Sequence, residues 1–72
     1  MITHLFYVET HNDYYFKIMS AQTQDFAHGY IKRIYPNAVK IIHCGKFSPL
    51  ADFDVISVFI DKWMVAHLKG EQ

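Results

Sequence analysis

Cysteine is nearly missing from this chain of 72 residues: Cys44 is the only one, so no disulfide can form within it. A chain this short is close to the lower limit for folding without a cross-link or a metal, so stability must come from packing or from a partner. Glycine is scarce too, at positions 29, 45 and 70, each isolated. That excludes a glycine-rich phosphate loop, and neither G-x-S-x-G nor H-E-x-x-H occurs. No enzyme, no catalytic residue and no cofactor is expected, and the chain is short for a water-excluding pocket. An excess of charge is also lacking, since seven basic residues balance seven acidic ones. A neutral total lowers self-repulsion, and it removes the broad positive field that draws nucleic-acid backbones. No apolar run reaches the roughly 18 residues of a membrane span. The opening MITHLFYVETHND lacks the basic-then-apolar pattern of a signal peptide. A lone thiol suits a reducing compartment, and the expectation is a cytoplasmic protein with no membrane segment.

What the chain has is core material: 51% of residues are apolar and 17% aromatic. That composition is far from the low hydrophobicity of disordered segments. Residues 1–72 read as a single α+β domain in the order β-β-α-β-α, a small three-stranded antiparallel sheet with one packed helix and a C-terminal helix. Ile2 to Glu9 and Tyr14 to Ser20 read as strands, joined through the polar loop Thr10-His11-Asn12-Asp13 into a hairpin. Ser20 or Thr23 can cap a helix in which Phe26, Ala27, Tyr30, Ile31 and Ile34 share a face, with His28 opposite. Pro36 ends that helix. Ala38 to Cys44 reads as the third strand, closed by Gly45. Ser48-Pro49 is a helix start, and from Asp54 the residues Val55, Ile56, Phe59, Ile60, Trp63 and Ala66 fall on one helical face. The β-branched run from Val55 to Val58 fits a strand as well, and the helix is favoured, stopping near Leu68-Lys69-Gly70.

Alternation along the strands puts Phe6, Val8, Phe16, Ile18, Val39 and Ile41 on one face, as the core for the first helix. Leu5, Tyr7, Tyr15, Met19 and Ile42 fall on the other, mixed with Thr3, Glu9, Lys17 and Lys40. That second face is too apolar to be left in water, so either the C-terminal helix or another chain packs on it, and that helix is itself apolar on its flanks as well. A homodimer is the expected way to cover them.

The stretch KIIHCGKF sets His43 beside Cys44, but a strand sends neighbours to opposite faces. A nucleophile–base pair or a shared metal would need a bulge, which Gly45 permits. No zinc-type ligand spacing is present, and Cys44 reads as a small apolar side chain. If the third strand lies antiparallel beside the first, His4 and His43 become neighbours, and a third ligand from a partner chain would complete a metal site. Partly buried histidines with no metal are the plainer expectation. Tyr14, Tyr15 and Phe16 beside Lys17, with Lys32, Arg33, Lys40 and Lys46, offer stacking and phosphate contacts, so a small nucleic-acid-binding protein is the alternative function.

The stretch FYVETHNDYYFKIMSAQTQDFAHGYIKRIYP, followed by AVKII, resembles in architecture the small accessory proteins of phages and mobile elements, including anti-CRISPR proteins. The likeness covers residues 2–44 and carries no shared motif. It implies stoichiometric binding to a host protein or complex. The expected function is thus that of a protein–protein interaction module. Its expected contact residues are Tyr7, Tyr15 and Lys17 on the outer sheet face, or Tyr14 and His11 at the hairpin tip.

Overall fold

The computed structural model describes residues 1–69. Three strands, β1 (Ile2–Glu9), β2 (Tyr14–Ala21) and β3 (Lys40–Phe47), form an antiparallel sheet in the order β2-β1-β3. Helix α1 (Gln24–Ile34) connects β2 to β3, and α2 (Phe53–Met64) runs on into a π-helical turn, Val65–Lys69. The architecture is α+β, β-β-α-β-α, as expected. The order places β3 beside β1 and antiparallel to it.

The central strand explains the layering. Thr3 to Val8 are all buried, six residues in succession. A strand covered on one face alternates, whereas one covered on both faces is apolar throughout, and Leu5-Phe6-Tyr7-Val8 is such a run. Phe6 and Val8 face α1 with Ala21, Ala27 and Ile31, and Met19, Tyr35, Ala38 and Ile41 close around them. On the opposite face Tyr7 and Phe16 pack against Trp63 of α2, and Phe47 packs edge-on to Phe59. The sheet thus lies between two helices.

Two face assignments need correction. In the hairpin Glu9 faces Tyr14 and Phe6 faces Lys17, so every facing pair joins an odd-numbered residue to an even-numbered one. Residues directly opposed across a ladder share a face. The four-residue loop therefore sends Phe16 and Ile18 to α2's side with Tyr7, while Tyr15, Lys17 and Met19 join α1's side. Helix α1 is also rolled about its axis. Ala27 and Ile31 are buried as expected, but Phe26 is 62% exposed and Tyr30 and Ile34 are exposed too. His28, assigned to the solvent side, is half-buried with its ring 6.1 Å from Phe6.

Local signals set the element ends. Thr23 Oγ1 accepts the Phe26 amide at 3.1 Å, making Thr23 the N-cap. The helix stops at Ile34, with Tyr35 held out of helical geometry ahead of Pro36. Strand β3 begins after Val39, which is exposed, and does not close at Gly45 but continues to Phe47. Leu5 faces Gly45 while Phe6 faces His43, which leaves Cys44 as the extra residue of a β-bulge. Ser48-Pro49 makes a turn rather than a helix start: Ser48 Oγ accepts from the Leu50 amide, and α2 begins after Asp52. On α2 Ile56 and Trp63 are buried, whereas Val55 is exposed. The expected stop at Gly70 lies outside the described residues.

Candidate interaction surface and the histidine pair

His4 and His43 meet as the antiparallel arrangement requires. His4 Nδ1 is 3.1 Å from His43 Nε2, and the two rings are 5.2 Å apart. His4 is 1% exposed, and its Nε2 is buried with no hydrogen-bond partner. A buried orphan N–H is costlier than a bare acceptor nitrogen. The favoured tautomer therefore carries its proton on Nδ1 and donates to His43 Nε2. Burial, followed by the nearby charges of His4, Lys46 and His28, holds His43 below the ordinary histidine range. Its ring stands edge-on to Phe6 at 5.1 Å. Two imidazole nitrogens at this separation could share an ion, but no cluster of three or more His, Cys, Asp or Glu side chains suited to a metal occurs among the described residues. The geometry is that of a hydrogen-bonded pair buttressing β1 against β3.

Cys44 is not drawn into this pair. His43 lies against Phe6 on α1's side, whereas Cys44 is the extra residue of the bulge. Its Sγ donates to the Ile42 carbonyl at 3.7 Å. Burial pushes the thiol up to about 11, with a hydrogen bond from the Tyr7 backbone working in the opposite sense. The bulge forms without making a His–Cys site, and the thiol stays protonated near neutrality.

The five expected contact residues occupy three environments. Tyr7 is 3% exposed beneath Trp63, so it is not a surface anchor, and its hydroxyl donates to Glu9 Oε1 at 2.8 Å. Burial, then the Glu9 hydrogen bond and charge, push that hydroxyl up to about 12. Tyr15 and Lys17 lie on α1's side, where Tyr15 stacks on Tyr35 at 5.9 Å and the Lys17 ammonium sits 5.9 Å from the same ring. Tyr14 and His11 are at the hairpin tip and exposed. With Glu9, Asp13 and Leu68 they border a shallow groove of about 350 Å³. Tyr14 and Phe16 thus belong to one layer and Tyr15 to the other, so the aromatic run is not one stacking platform.

Two features were not anticipated from the residues. Phe26, Tyr30 and Ile34, at i, i+4 and i+8, make an exposed apolar ridge along α1. Their spacing was legible as a helical face, but the roll of the helix that exposes it was not. The second is the π-helical turn after Met64. The His67 ring stacks on Trp63 at 4.3 Å, and its Nδ1–H donates to the Trp63 carbonyl at 3.1 Å. In an α-helix that carbonyl would bond the His67 backbone N–H. The ring bonds that carbonyl at the point where the helix widens into the π turn.

No family model, curated protein or solved structure matches the chain.

Proposed function

We propose that this domain works by protein contact rather than by catalysis, as a self-associating interaction module. The observation that carries the reading is the exposed ridge of Phe26, Tyr30 and Ile34 on α1. Large apolar side chains in a row are the pattern of a docking face, since scattered single ones need no partner. The groups with intrinsic chemical reactivity support it as well: His4 is locked in a buried pair, and Cys44 is held as a thiol. The likeness to phage and mobile-element accessory proteins extends the reading to a host protein as the target, in the reducing cytoplasm. Nucleic-acid binding is the competing function. It has two separate cation-and-ring pairs, Lys17 with Tyr35 beside Tyr15 and Arg33 with Tyr30, and no continuous basic face.

The test is a comparison of tagged wild type with a Phe26→Glu/Ile34→Glu variant, both first shown to have the same circular dichroism. Each is passed over an extract of the native host. A protein retained in stoichiometric amount by wild type and lost from the variant supports the reading. Equal retention by both, or salt-sensitive retention of nucleic acid alone, contradicts it.

A further inference from the structure

The two edges of the sheet are not alike. Strand β3 is interrupted by the bulge at Cys44 and carries the exposed lysines Lys40 and Lys46. Bulges and lysines are the common means of keeping a strand edge from pairing with another chain. Strand β2 has neither. Its ladder to β1 runs through consecutive pairs from Ile2–Ala21 to Glu9–Tyr14 without irregularity. It contains no proline, and Lys17 is its only charge.

Both rims of this edge are apolar. In α1's layer Tyr15 and Phe26 are exposed, and in α2's layer Tyr14 and Ile18. Phe26 lies toward the end of β2, sharing a shallow groove with Ser20, Ala21 and Met1. A free backbone ladder between two apolar rims is suited to another strand, because pairing satisfies its open N–H and C=O groups while the rims are covered.

We infer that β2 pairs antiparallel with β2 of a second copy, joining two three-stranded sheets into one of six strands. This rests on the self-association proposed above and names the surface. A two-fold axis normal to the sheet keeps both α1 helices on one side, so residues of like parity face each other across the new ladder. A register centred on Lys17 would oppose two like charges. A register centred on Ile18 sets Lys17 opposite Met19 of the partner subunit and Ile18 against its own copy. The single charge then meets no like charge, and the contact is self-complementary, as a two-fold dimer requires.

The experiment is residue-resolved hydrogen exchange on wild type at low and at high concentration, with light scattering on Ile18→Lys and Val58→Lys. Val58 is an exposed residue of α2, outside β2. Pairing through β2 predicts slowed exchange at high concentration of the alternate β2 amides that do not bond β1. It also predicts a dimer for wild type and Val58→Lys and a monomer for Ile18→Lys. A dimer whose β2 amides exchange equally at both concentrations overturns the β2 assignment and leaves self-association standing. A wild-type monomer at every concentration overturns both.

Discussion

At the scale of single residues, the histidine pair makes folding sensitive to pH in one direction. His43 is lowered from the ordinary histidine value of 6.5 in the folded chain. Above that value His43 is neutral folded and unfolded, and it imposes no penalty. Below it the unfolded chain takes up the proton first, so stability falls until the folded value is passed and then levels off. Urea midpoints should therefore drop as the pH goes from 7.5 toward 5. A His43→Asn variant, which cannot titrate there, should show a shallower fall through that window. A slope equal to wild type would remove His43 from the account. Gly45 sets a second residue-scale constraint. A Cβ at this position would come within 3.1 Å of Phe59 Cζ and 3.3 Å of Cε2, so the ring would have to move. Gly45→Ala should cost about 1–3 kcal/mol, the usual range for overpacking, read as a lowered urea midpoint. No change would mean that Phe59 is free to swing away.

Among the elements, those fixed by neighbours in sequence were legible and those fixed by distant contacts were not. The hairpin loop at residues 10–13, the Thr23 cap and the Pro36 stop each depend on a few adjacent residues, and the structure has all three. The meeting of His4 with His43 was also legible, because strand order and direction alone bring those ends together. The partition of β2 was not, since it turns on whether the facing pairs join like or unlike parity. The loop length would have decided it: with four loop residues, Glu9 faces Tyr14. The roll of α1, which buries part of His28 and exposes Phe26, is set by the ring of Phe6 and by the small Ala27 at the contact. The bulge at Cys44 depends on pairing with β1 and has no local signature beyond Gly45. For the cap the expectation is specific: Thr23→Ala should lower stability by about 1 kcal/mol, measured by thermal or urea unfolding. An unchanged stability would show that the Phe26 amide finds another acceptor.

At the scale of the whole molecule, the chain is a slab whose Cα extents are 35 × 28 × 15 Å, with little depth in which to hide apolar side chains. Among the described residues nine hydrophobic ones are buried, while fifteen large ones are exposed. That imbalance, in a chain of zero net charge, is the physical basis for reading the domain as one completed by association. In the proposed account the β2 edge pairs with a second copy and the α1 ridge is left to face a partner protein. The most direct test of this claim is the molar mass of the wild-type chain, by light scattering over a concentration series reaching the high micromolar range. The account predicts a rise to about twice the 8.5 kDa of one chain. A mass that stays at 8.5 kDa throughout would contradict it.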